Sequence, residues 1–209
     1  MRARMAVKRS ADVSDVASFI EGRYSKCMPR RHPLPKIWLM TDARFGDDLL
    51  PAIQRLPARS GVIFRYYHLA TQQRRKLFRQ VLRICRRRGH ILRRAGDART
   101  ALRWRADGFH HRSRGNSALL HSAPVHDARE IAEVRAFCPD LIFLSPVFAT
   151  KSHPGARPLG PLAFARLARL AGKSHVIALG GMTRRKADMM SPWIIHGWAA
   201  IDTFRKKPA

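Results

Sequence analysis

The chain has 209 residues, 45% of them hydrophobic, enough for one sizeable core but short for two, and no apolar run reaches the roughly eighteen residues of a membrane span. Its 41 Lys+Arg against 14 Asp+Glu give a net charge of +27. No helix-turn-helix, zinc-finger or ribonucleoprotein signature accompanies that charge, so nucleic acid is a partner neither favoured nor excluded.

Cys27, Cys85 and Cys138 form no CxxC pair, which argues against a disulfide framework and fits free thiols in a reducing compartment. The basic N-terminus has no apolar stretch behind it to act as a leader, so a cytoplasmic protein without membrane attachment is expected. Residues 1–35 read as an N-terminal extension, partly helical or disordered. Val13, Val16, Ala17 and Ile20 share one helical face, and MPRRHPLP is too rich in proline to join helix or sheet.

From residue 36 to 209 apolar runs alternate with helical stripes. Ile37–Met40 reads as a strand and 47–56 as a helix; 61–67 as a strand, and Thr71–Arg88 as the longest helix, with Thr71 as its N-cap and Gly89 ending it. Leu77, Phe78, Val81, Leu82 and Cys85 form that helix's apolar stripe. Arg74, Arg75, Lys76, Arg79, Arg83, Arg86 and Arg87 form a face expected to be solvated. Strands follow over 90–94 and 107–111, with a helix over 97–105 between them, and RSRGN leads directly into a strand over 117–125. Helices over 127–137, 161–170 and 183–190 then alternate with strands over 140–146, 175–179 and 197–204. Eight strands in about 170 residues argue a small (β/α)8 barrel, with an open doubly wound sheet as the alternative.

A barrel places its site at the carboxyl ends of its strands, with phosphate commonly held after strands seven and eight. Gly180 and Gly181 close the seventh strand in ALGG, and Ala200 and Ile201 end the eighth. Glycine lets backbone N–H groups approach an anion. The segment 145–160, SPVFATKSHPGARPLG, is a long loop after the sixth strand, dense in hydroxyls, lysine, histidine and glycine. His110, His111, His121 and His126 match no zinc spacing and read as structural. Trp38, Trp104, Trp193 and Trp198 read as core or rim residues, Trp198 alone lying on a strand near enough to stack on a pyrimidine.

SPVFATKSHPGARPLG, VIALGGM and GWAAID, with the earlier WLMTD, ADGFH and APVH, resemble in order and spacing the thiamine phosphate synthase and TenI family, over about residues 35–202. The resemblance implies a small (β/α)8 barrel. It implies a transferase that joins hydroxymethylpyrimidine diphosphate to thiazole phosphate and releases pyrophosphate with Mg2+ bound, or a TenI-like isomerase of a thiazole phosphate. By the same resemblance Gly180, Gly181, Ala200 and Ile201 hold phosphate, and Arg65, Thr150, Lys151, Ser152 and His153 carry catalysis, His153 standing where the family has lysine. Asp97, and more remotely Asp42, remain as carboxylates for a metal, and Pro146 stands at the TenI histidine. Arg112 and Arg114, with Arg65, are expected to meet the diphosphate in place of the missing ligands. A synthase-like activity is the expectation; a decayed or TenI-like phosphate binder and a basic nucleic-acid-binding protein are the alternatives.

Overall fold

The computed structural model describes residues 33–114, 119–152, 155, 157–190 and 194–206. The helix read within 1–32 and the proline linker as far as residue 32, together with His153 and Trp193, lie outside them. The unit Pro35–Ala209 carries eight parallel strands: β1 Ile37–Met40, β2 Gly61–Phe64, β3 Ile91–Ala95, β4 Gly108–His110, β5 Leu120–Val125, β6 Leu141–Leu144, β7 His175–Ala178 and β8 Gly197–Ala200. They close into a barrel in sequence order, β8 returning to β1 with Ala200 opposite Leu39. Closure removes the open doubly wound sheet from consideration and leaves no strand edge unpaired.

The outer ring comprises α1 Leu49–Arg55, α2 Thr71–Arg88, α3 Ala98–Arg103, α4 Ala128–Arg135, α5 Gly160–Ala168 and α6 Arg184–Asp188. The sequence shows why three of them start where they do. Asp97, Asp127 and Thr183 are extended N-caps whose side chains accept from the N–H groups of Thr100, Glu130 and Lys186. Thr71 does not cap α2 as expected: it is the first helical residue, and Ala70 holds the cap position without a side-chain bond. Gly89 does end α2, in the left-handed conformation.

Several strands are shorter than expected, β2 and β8 losing the most at their carboxyl ends. β2 stops at Phe64 because Tyr66 turns to φ +42. β8 stops at Ala200 because Ile201, at φ −110 and ψ −69, leads into a 3-10 turn over Asp202–Phe204. Along α2, Ile84 is buried with Phe78, Val81 and Cys85, whereas Leu77 and Leu82 are only half-buried.

Side chains pointing into the barrel form its floor. Trp38 meets Phe143 edge-on at 5.5 Å, and Gly61 makes room for it, since a Cβ there would fall 2.2 Å from the indole. The fully buried Arg93 lies with its guanidinium 5.0 Å from the Trp38 ring. A second apolar layer between strands and helices includes Ile131, Val134, Ile142, Leu144, Phe164 and Trp198. Trp198 therefore faces the helices, where it stacks on Phe204 at 5.4 Å; the expectation that it could stack on a substrate ring fails because β8 turns that position outward.

Candidate functional site at the carboxyl mouth of the barrel

The loops leaving β6, β7 and β8 enclose, with Met40 and Arg65, a cleft of about 170 Å³. One wall is built by Gly180 and Gly181, at φ +95 and +60. Both conformations suit glycine, and space demands it as well: a Cβ on Gly180 would lie 2.7 Å from Pro146 Cα, and one on Gly181 2.4 Å from the Ala149 carbonyl oxygen. The missing side chains thus admit the backbone of the β6 loop. That loop is stitched to them by Val147 N–H donating to Leu179 O at 2.9 Å and Phe148 N–H to Gly180 O at 3.1 Å. The N–H groups of Gly180 and Gly181 donate to no backbone carbonyl among the described residues. Ala200 and Ile201 complete the wall, and Thr203 Oγ1 donates to Met182 O at 2.7 Å, tying the β7 and β8 loops together.

The opposite wall is charged. Arg65, just past β2, is fixed by its backbone N–H on Thr41 Oγ1 at 2.8 Å, its Nε on Thr41 O at 2.7 Å and its Nη2 on Asp42 Oδ2 at 2.9 Å. The other oxygen of Asp42 accepts Arg44 Nε at 2.8 Å. Arg44 then spans the mouth, donating through Nη2 to Ser152 Oγ at 2.7 Å and through Nη1 to Asp202 Oδ1 at 3.1 Å. Burial works to raise the Asp42 carboxyl, but the Arg44 hydrogen bonds and the charges of Arg44 and Arg65 outweigh it and hold it below the usual range. Burial lowers the Arg65 guanidinium, which Asp42 partly offsets; the hydrogen bond to Asp42 raises Arg44.

Of the residues singled out from sequence, Arg65, Thr150, Lys151, Ser152, Gly180, Gly181, Ala200 and Ile201 line this one cleft. Thr150 Oγ1 accepts from Ser152 N–H at 3.3 Å, shaping the loop tip. Arg44 was not singled out; its only sequence signal is its place in TDARF, directly after β1 at the carboxyl end of the barrel.

Arg112 and Arg114 do not join the cleft. Arg112 pairs with Glu130 of α4, which also accepts His126 N–H at 2.8 Å. His110 bonds Ser122, His121 bonds His111 O and stacks on Phe109, and His111 bonds Ser113, so the histidines serve separate local structures. Asp97 is committed too: its Oδ1 accepts Thr100 N–H at 2.8 Å, and Oδ2 lies 3.7 Å from Arg94 Nη1. Magnesium takes near-octahedral oxygen ligands including one or two carboxylates. Here Asp42 is saturated by two guanidiniums and Asp202 takes Arg44 and Arg205. No group of three His, Cys, Asp or Glu among the described residues converges for a metal. The donors present do not fit magnesium.

Comparison with known proteins agrees with this architecture. The family model for thiamine monophosphate synthase matches residues 39–204. An Aquifex aeolicus (strain VF5) protein with the provisional name thiamine-phosphate synthase 2 is 27% identical over 187 residues, covering 82% of this chain and 98% of the relative. Among solved structures, the thiamine phosphate pyrophosphorylase from Pyrococcus furiosus superposes with a TM-score of 0.66 at 19% identity, over 80% of this chain and 85% of its own. An HpcH/HpaI aldolase from Desulfitobacterium hafniense DCB-2 shares the fold at a TM-score of 0.54 and 10% identity, over 80% of this chain and 86% of its own.

Proposed function

Since the chain belongs to the thiamine monophosphate synthase family, we propose that it is a synthase-type transferase coupling hydroxymethylpyrimidine diphosphate to thiazole phosphate with release of pyrophosphate. The observation that carries the reading is the single cleft in which the Gly180–Gly181 and Ala200–Ile201 backbone faces the immobilised Arg65 fork and the hydroxyls of Thr150 and Ser152. In this reading the glycine wall holds the thiazole phosphate through N–H groups. Arg65 and Lys151, with Thr150, Ser152 and the adjacent His153, meet the diphosphate.

Coupling needs two anionic substrates side by side and charge stabilised on a leaving diphosphate. Positioning supplies the first. The second comes from donors already fixed before reaction, each worth roughly 10²–10³ in rate. No side-chain nucleophile is required. Because the cleft carboxylates are engaged by arginines, the cationic side chains take the place of a divalent ion.

A coupling assay with both substrates, run with and without EDTA, tests this. Thiamine phosphate formed equally in both supports it; activity that requires Mg2+ and vanishes in Asp97→Ala would sink the arginine-replacement reading.

A second reading, a TenI-like or catalytically decayed phosphate binder, is favoured by one fact: Arg44 already occupies the Ser152 hydroxyl at 2.7 Å. That reading expects thiazole phosphate to raise the melting temperature without any coupling. Saturating ligand at about a hundred times Kd stabilises by about 2.7 kcal/mol.

A further inference from the structure

Between Asp48 and Asp97 the sequence contains no acidic residue, and the helix at the centre of that stretch is α2. Arg75, Arg79, Arg83 and Arg86 recur along it at intervals of four, four and three, a row of about 16 Å at 1.5 Å per residue. Across a groove of about 430 Å³ they face Arg103, the last residue of α3, and Arg105, two residues past it. None of these six lies within ion-pair distance of a carboxylate among the described residues. Asp107, which feels the Arg86 charge, is turned inward onto Leu92 N–H at 2.7 Å. Like charges four apart on a helix destabilise it, and α2 keeps such pairs at 75/79 and 79/83 with no acid to relieve them.

A polyanion would relieve them. Guanidinium forks match phosphate oxygens, and two cationic walls facing each other accept a chain of phosphates rather than the flat surface of a bilayer. The aromatic floor is not open for base stacking: Trp104 is covered by Arg94 at 4.8 Å and by Arg74 at 5.9 Å. Recognition would therefore run through phosphates without reading sequence. We propose that the α2–α3 groove is a docking site for the sugar–phosphate backbone of single-stranded nucleic acid, separate from the barrel mouth and independent of its reading.

Fluorescence anisotropy with a fluorescein-labelled twelve-nucleotide oligothymidine tests the proposal. Its binding should weaken with salt, log K falling by about 0.7 per phosphate contacted for each unit of log[salt]. The variant Arg79→Glu/Arg83→Glu should bind at least about tenfold more weakly and show a slope shallower by about 1.4. Both positions are exposed; the two glutamates still repel each other four residues apart, but the repulsive pairs 75/79 and 83/87 become attractive, so α2 should remain folded. The control Arg166→Glu/Arg169→Glu removes the same charge from exposed positions on and just after α5, and should change affinity by less than about twofold. Equal weakening of both variants would reduce the effect to overall charge and overturn the site. So would absence of salt-sensitive binding, or binding to phosphatidylserine vesicles but not to the oligonucleotide.

Discussion

Arg65 acts as a prepositioned cation because three of its donors are spent on the end of β1. Arg65→Lys keeps the charge and loses the fork, so the coupling rate should fall roughly 10²-fold, while thiazole phosphate still raises the melting temperature; steady-state kinetics beside a thermal shift checks both. Arg44→Ala frees Ser152 and Asp202 together. These partners are partly exposed, so thermal stability should change by only about 0–1 kcal/mol, whereas KM for the diphosphate substrate should shift on the order of tenfold.

His110 makes a pH prediction. Burial first, then the charges of Arg93 and Arg65, push it from 6.5 down to about 3. The unfolded chain therefore takes up this proton first as pH falls. Stability should be complete above about 6.5 and decline toward about 3, by at most about 1.4 kcal/mol per pH unit for this group. Urea unfolding at pH 7, 6 and 5 should show the decline, and His110→Asn, which can still donate to Ser122, should make it shallower. His90 and His121, also lowered by burial, keep it from vanishing.

The place of Gly180 and Gly181 was legible because they close a strand at its carboxyl end, whereas Arg65, Thr150 and Ser152 were singled out by the family resemblance, and the fold brings all five to one cleft. Arg44 was not legible: its role exists only where residues 152 and 202, which are 108 and 158 positions away, come to meet it. Arg112 was misplaced for the converse reason, since Glu130 claims it across an element boundary.

Among the elements, the β6 loop and the β7 turn form one device. Glycines expected to admit an anion also admit a loop, which sequence could not reveal because no local pattern records what lies above a turn. Gly181→Ala would set a β-carbon 2.4 Å from Ala149 O at a φ of +60, costing about 1–3 kcal/mol and displacing the loop. Thiazole phosphate affinity should drop in isothermal titration even for protein that remains folded, a separation of effects opposite to that of Arg65→Lys. Strand and helix identity followed from periodicity, whereas the ends of β2 and β8 did not: Tyr66 and Ile201 leave extended geometry inside apolar runs that read as continuous. Caps by Asp97, Asp127 and Thr183 mark helix starts locally; the preference of Thr71 for the same role yields to the chain entering α2 one residue earlier.

For the whole molecule, the β/α alternation carried the barrel, and the barrel carried the address of the site. The charge distribution sets a mouth, where Asp42 and Asp202 hold the arginines in place, against an α2–α3 groove whose six arginines have no carboxylate within ion-pair distance among the described residues. In the proposed function, arginines fixed at the mouth perform the diphosphate chemistry without a divalent ion. Thiamine phosphate formation from hydroxymethylpyrimidine diphosphate and thiazole phosphate, followed by wild-type protein in excess EDTA, tests it most directly. Product with stoichiometric pyrophosphate is the predicted result. Folded protein that forms none, either in EDTA or after Mg2+ is restored, would contradict the assignment as a synthase, and product only after Mg2+ is restored would contradict the role given to the arginines.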